Sequence, residues 1–282
     1  RYVPHEQARA ALAVGRVLDA LPAVAEASEA PDRSELGPGL LLLTLLSIAG
    51  IAAGLYMAFG VSGRDIEQGD VQRIFHIHMS SFFGSFIAYG AATLGGILYL
   101  RTRQARWDTL ALAVVEVGLA LSLINIATGS IWARPIWNTW WNWDPRLTSA
   151  AVMILTYAAY LMLRAGIDNA EQRRRFASVY GIFAITTVIL TLIIPRIVPS
   201  SIHPIVIGPV FNGTQAFAQG NFELAATPGV GVTLAFHFLI WTLLLPITLI
   251  WHRIRLENSA ERVHAFRLRA LEGDNASSAA GG

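Results

Sequence analysis

From Leu40 to Gly60 the chain runs for 21 residues without a charged side chain, and such a stretch has few places to go. A helix rises about 1.5 Å per residue, so about 20 apolar residues match the hydrocarbon thickness of a bilayer. Five further apolar segments follow, and together they predict helices near 39–61, 74–100, 108–130, 147–165, 176–198 and 231–252. A soluble core cannot absorb this much apolar sequence: 54% of the 282 residues are hydrophobic and 14% charged, with a mean hydropathy of +0.49. Lipid offers the backbone no hydrogen-bond partners, so spanning segments must be helices or closed barrels, and these lengths select helices. The connections are short except 199–230. The predicted fold class is therefore an all-α integral membrane protein, with six transmembrane helices in an up-and-down bundle.

Arginine sets the expected orientation, because loops rich in Lys and Arg stay in the cytoplasm. Arg101, Arg103 and Arg106 share one loop; Arg164 and Arg173–Arg175 share another; Arg253 and Arg255 follow the last span. By alternation these regions lie on one side. The opposite connections hold only Arg64 and Arg73, then Arg134 and Arg146, then Arg196. Both termini are thus expected in the cytoplasm. The domain reading is a cytoplasmic N-terminal extension and linker at 1–38, and a six-helix domain at 39–252 with an outward loop at 129–147. An amphipathic, then disordered, cytoplasmic tail is expected at 253–282. The charges running through the first 37 residues argue against a cleavable signal peptide.

The outward loop is the chemically loaded stretch. Thr128–Ser149 reads TGSIWARPIWNTWWNWDPRLTS, placing Trp132, Trp137, Trp140, Trp141 and Trp143 within twelve residues, with Arg134, Asp144 and Arg146 among them. Trp gathers at membrane interfaces simply for its apolar ring and polar edge, but five in one loop exceed what anchoring needs. Asp144-Pro145 before an apolar run also reads as a helix N-cap followed by Pro at the first helical position. A flat aromatic surface with a few charges suits a large planar ligand with anionic edges.

The predicted topology brings two histidines to this loop. His78 lies about one turn inside the second helix, and His203 lies just past the fifth, in the stretch Pro199–Pro204. Two neutral imidazoles on opposite sides of a plane can ligate haem iron axially. Trp rings can stack on the macrocycle, and Arg134 and Arg146 can pair with its propionates. His76 competes with His78, since two positions on a helix differ by about 200° and only one can face the loop. His237, about two turns inside the sixth helix, is expected as a reserve ligand or a neighbour of the site. Glu116, expected mid-membrane, either pairs with a polar group such as His237 or those near Asn125, or fills a bundle crevice as a neutral, hydrogen-bonded side chain. Gly84, Gly90, Gly95 and Gly96 predict close helix packing.

With no cysteine in the sequence, disulfides, thiolate nucleophiles and iron–sulfur sites are excluded. A net charge of +2, with no basic domain face, argues against a nucleic-acid partner.

The run TGSIWARPIWNTWWNWDPRLTS, together with RIFHIH at 73–78 and SSIHP at 200–204, closely resembles the tryptophan-rich WWD signature of haem-handling membrane proteins, in particular the cytochrome c maturation protein C type. The resemblance covers roughly residues 40–270. It implies axial ligation of haem iron by His78 and His203, and haem b held transiently against Trp132, Trp137, Trp140, Trp141 and Trp143 with Asp144, Arg134 and Arg146. It further implies delivery of haem to a periplasmic haem chaperone (CcmE type), beside ABC transporter subunits (CcmA and CcmB types) and a small membrane protein (CcmD type). The compartment implied is the bacterial plasma membrane, with the haem site extracytoplasmic. The protein is then a binding and delivery module for c-type cytochrome biogenesis, not an enzyme. Asn138 stands where the family commonly has Gly, a difference that Asn tolerates in a left-handed turn.

Two rival readings stay within haem chemistry. A cytochrome c synthase or haem lyase subunit of the same superfamily would carry another pair of intramembrane His, for which only His237 is a candidate. A b-type electron-transfer subunit would offer two aligned His on each of two helices, whereas His237 and His252 are fifteen apart and out of register by about 60°. A plain transporter or structural subunit, using the Trp loop as an anchor, would bind no chromophore.

Overall fold

The computed structural model describes residues 36–66, 68–198, 201, 203, 228–260 and 263. All regular structure there is helical: α1 Pro38–Gly60, a 3-10 turn at Asp70–Ile74, α2 Phe75–Thr102, α3 Ala105–Trp137, α4 Pro145–Ala165 and α5 Ala170–Ile197, then α6 Val230–Ala260. Each of the six is long and apolar enough to cross a membrane. Residues Arg1–Leu42 and Leu43–Gly282 form separate compact units; the expectations for 1–35 and 264–282 lie outside the described residues.

Local chemistry explains the ends. Asp144 caps α4 by accepting the Arg146 N–H at 2.8 Å, and Pro145 needs no partner at the first helical position. Asn169 caps α5 in the same way, accepting from Gln172 N–H at 3.0 Å. Two helices run further than the hydropathy suggests. α3 continues past 130 because Pro135 falls in its last turn, where the lost N–H costs one bond, and it ends only where Asn138 adopts φ 54°. The outward loop expected at 129–147 therefore shrinks to the residues between Trp137 and Pro145, and Trp132, Arg134 and Trp137 are helical. α6 continues past His252 because Arg253 is neutralised. It pairs with Glu116 of α3 and, at 2.8 Å, with Glu257 one turn on. Arg253–Ala260 thus continues the same helix, and Glu116 takes Arg253 as its partner rather than His237.

The packing centres on α2 and α3. About half of each is buried, against 17% of α1. Gly84 and Gly96 let neighbouring backbones come close: a Cβ at Gly84 would stand 2.6 Å from Trp241 O of α6, and one at Gly96 3.1 Å from Ser178 O of α5. Gly90, expected to serve the same purpose, has nothing within 4 Å of the site of a Cβ. Where α6 meets Gly84 its backbone forms a π turn, Leu239–Leu244, and Thr242 Oγ1 donates to Ser80 O at 3.2 Å. The interior is aromatic. Tyr89 and Tyr157 stack at 3.6 Å and 11°, and the Tyr89 hydroxyl is hydrogen-bonded to Ser122 Oγ at 3.0 Å. Near the start of α3 and the end of α4, Asp108 accepts a bidentate pair of bonds from Arg164 at 2.5 and 2.8 Å, with Arg174 at 3.7 Å.

Candidate functional site

The first turns of α2, the last turns of α3, the N-terminus of α4 and the segment after α5 meet around one cavity. His78 comes from α2 and is 8% exposed. Its Nδ1 lies 3.0 Å from Asn125 O and 3.3 Å from Thr128 Oγ1. The carbonyl only accepts and so calls for a proton on Nδ1, whereas Asn125 Nδ2, 3.2 Å from the same atom, only donates and calls for a lone pair there, so the two contacts fit opposite tautomers. Asn125 Nδ2 also donates to His78 O at 2.8 Å, which holds the turn as well as the ring.

His203 faces His78 across the cavity. The two ring centroids lie 6.4 Å apart with an interplanar angle of 87°. His203 Nδ1 is a buried atom with no hydrogen-bond partner. Burial, then the Arg146 guanidinium, then His78 hold the His203 imidazole well below its usual pKa, so it is neutral at physiological pH.

Tryptophan forms the walls. Trp132 is 5% exposed behind His78, ring centroids 6.0 Å apart, and its Nε1 donates to Gln68 Oε1 at 3.1 Å. Trp137 lies 6.1 Å from Trp132 and 5.7 Å from His203. Trp137, Trp140 and Trp141 line the cavity with Gly129, Arg146 and both histidines. Trp143 stands edge-on to Trp141 at 5.9 Å and is 77% exposed; Trp140 is 59% exposed although it also lines the cavity.

The charged residues divide. The Arg146 guanidinium lies 4.8 Å over the Phe82 ring, facing the cavity, and among the described residues no carboxylate lies within salt-bridge distance of it. Arg134 instead turns back on its own helix end, donating to Asn138 O at 2.9 Å and to Asn138 Oδ1. Asp144 lies outside the cavity lining and bonds Ser201. His76 faces away from this site: its Nε2 is 3.1 Å from Ser62 Oγ, and its ring stacks on His237 at 5.3 Å. His237 thus partners His76 and does not reach the Trp cavity. Asn125, Thr128, Gly129 and Ser201 were not singled out by the sequence. Of these, Asn125 stands out in the sequence as an amide within an apolar run.

The donor set suits a bis-imidazole iron porphyrin: two buried imidazoles on one cavity, aromatic walls, an orphaned ring nitrogen and a guanidinium with no carboxylate partner among the described residues. The family profile described as Heme exporter protein C matches residues 33–198, more than half of the chain. That span includes His78 and the Trp-rich run and ends before His203. Curated relatives carrying the name Heme exporter protein C include one from Bradyrhizobium diazoefficiens, 32% identical over 129 residues (46% of this chain, 49% of the relative). Another from Haemophilus influenzae is 28% identical over 153 residues (54% and 61%). One from Escherichia coli K12 is 28% identical over 137 residues (49% and 56%). The matches span about half the length of these relatives.

Proposed function

Since this chain belongs to the Heme exporter protein C family, we propose that it binds haem between His78 and His203 and passes it on for c-type cytochrome biogenesis. The observation that carries this reading is the opposed His78–His203 pair at 6.4 Å beside Trp137 and Arg146. Asn125 and Thr128 hold the ring of His78 in place, burial keeps His203 neutral, and the Trp rings offer faces for a macrocycle. Arg146 receives a propionate; Arg134, committed to Asn138, does not. Bound haem supplies no reaction here beyond ligation. It is cargo, and the protein is a binding and delivery module with no turnover of its own.

The chain is a multi-pass membrane protein. Its helices run up and down, with both termini cytoplasmic and the haem site on the extracytoplasmic side of a bacterial plasma membrane. Contacts between helix ends support this, since the end of α1 meets the start of α6 through Gly63 N–H to Pro228 O at 2.8 Å, and Ser62 meets the start of α2. Exposed Trp140 and Trp143 offer a face for the recipient, a periplasmic haem chaperone of the CcmE type. ABC transporter subunits of the CcmA and CcmB types and a small CcmD-type membrane protein complete the assembly.

Absorption spectra of the detergent-purified protein, oxidised and reduced, test this. The wild type should show a low-spin haem Soret band that shifts or disappears in His78→Ala and in His203→Ala. A wild type that stays colourless with haem added, or a spectrum untouched by both substitutions, refutes it.

A further inference from the structure

Asp144 closes the Trp-rich run yet stands outside the cavity, only 7% exposed. Capping α4 takes one bond, from the Arg146 N–H to Asp144 Oδ1 at 2.8 Å. The same oxygen accepts a second bond from 57 residues away, from Ser201 Oγ at 3.1 Å. A carboxylate only accepts, so the Ser201 hydroxyl proton is committed to Asp144 and its lone pairs remain free. One of them takes the backbone N–H of His203 at 3.4 Å. The start of α4 is thereby tied to the backbone of His203.

His203 needs such a tie more than His78 does. His78 is held in the ladder of α2, and Asn125 bonds both its ring and its carbonyl. His203 lies beyond the end of α5, whose last bonds are Val198 N–H to Ile194 O at 2.9 Å and Ser201 N–H to Val198 O at 3.2 Å. A ligand must stand within about 0.5 Å of its productive place to hold a metal well. We propose that Asp144, acting through the Ser201 hydroxyl, is a positioning residue that sets the backbone of His203 so that its imidazole opposes His78; this rests on the reading of His203 as an iron ligand. The aspartate of the Trp-rich run thus serves the site without touching its cargo.

Ser201→Ala separates the tie from the cap, because the Arg146 bond to Asp144 survives it. In the full-length protein reconstituted in nanodiscs with haem, Ser201→Ala should bind haem about tenfold more weakly, the scale of one lost hydrogen bond to a charged group. Its spectrum should move toward the high-spin form of His203→Ala, and added imidazole should restore the low-spin bands. Ser201→Thr, which keeps the hydroxyl, should match the wild type. In the haem-free protein, deuterium uptake by the peptide spanning 198–204 should rise in Ser201→Ala and nowhere else. If Ser201→Ala does not accumulate, Ser201→Gly must give the same high-spin shift. A Ser201→Ala protein with wild-type spectrum, affinity and exchange overturns the proposal, provided that His203→Ala alters the wild-type spectrum. If His203→Ala changes nothing, the ligand reading fails, and the proposal fails with it.

Discussion

Replacing Gly129 with Ala should impair haem binding while leaving the fold in place, and the structure sets the size of the effect. A Cβ at Gly129 would stand 2.9 Å from His78 Cε1 and 3.3 Å from its Nδ1, where ordinary contact begins at 3.4 Å. The ring has to retreat by about 0.5 Å, which is the tolerance of a preorganised ligand. A ring tip moves cheaply in steric terms. The cost falls on the 3.0 Å bond from Nδ1 to Asn125 O, worth about 1 kcal/mol. Exchanging Gly for Ala within α3 returns a similar ~1 kcal/mol of helix propensity, so thermal stability should stay within about 1 kcal/mol of the wild type. Haem affinity has no such offset and should fall about tenfold for each ~1.4 kcal/mol lost from the misplaced ligand. The assay is a haem titration followed in the Soret band, run beside thermal unfolding. Gly90→Ala is the control: nothing lies within 4 Å of its Cβ, and it should bind haem as the wild type does. Gly129→Ala binding within twofold of the wild type, with an unchanged spectrum, would refute the placement of His78 as a ligand held by this contact.

Other outcomes follow from the same geometry. Arg146→Gln should weaken haem about tenfold or more, the scale of a charged hydrogen bond, yet leave binding of haem dimethyl ester unchanged, while Arg134→Gln should alter neither; equal losses for both porphyrins would remove Arg146 from propionate binding. Because the His203 pKa lies below that of a free imidazole, its folded form resists protonation. It contributes nothing to the pH dependence of stability above about pH 6.5 and lowers stability as pH falls below that value, where only the unfolded state gains the proton. Haem retention should accordingly stay level from pH 8 to about 6.5, and a loss centred at or above that pH would contradict a neutral, depressed His203. Asp108→Ala strands Arg164, whose side chain is 10% exposed. It should cost about 3 kcal/mol of stability, measured as lost yield and a lower Tm, with the haem spectrum of the surviving protein unchanged.

The six spans were legible because lipid imposes one requirement, a run of apolar residues of fixed length, and segments such as Leu40–Gly60 meet it without ambiguity. Helix ends were less legible, since they depend on partners. α6 passes Arg253 because Glu116 lies 137 positions away in sequence yet adjacent in space, and no local pattern announces that. As part of a loop, Arg134 would be free to face the cavity. Once α3 extends to Trp137, the same side chain reaches the helix end and caps it. The 200° separation of His76 and His78 stated that they must part, but their destinations depended on Ser62 and His237. Thr128 and Ser201 are ordinary residues in composition, and only the tertiary contacts to His78 and Asp144 distinguish them.

The π turn at Leu239–Leu244 acts as a phase joint in α6. A regular α-helix locks the angular position of every residue to every other at about 100° per step, whereas one wide turn inserts an offset between the two halves. The upper half can then aim His237 at His76 while the lower half aims Arg253 at Glu116. Deleting one residue within the turn would restore regular winding and rotate one half against the other by about a quarter of a revolution. Only one of the two pairings could then survive, so each end of α6 keeps its neighbour through a defect in the middle.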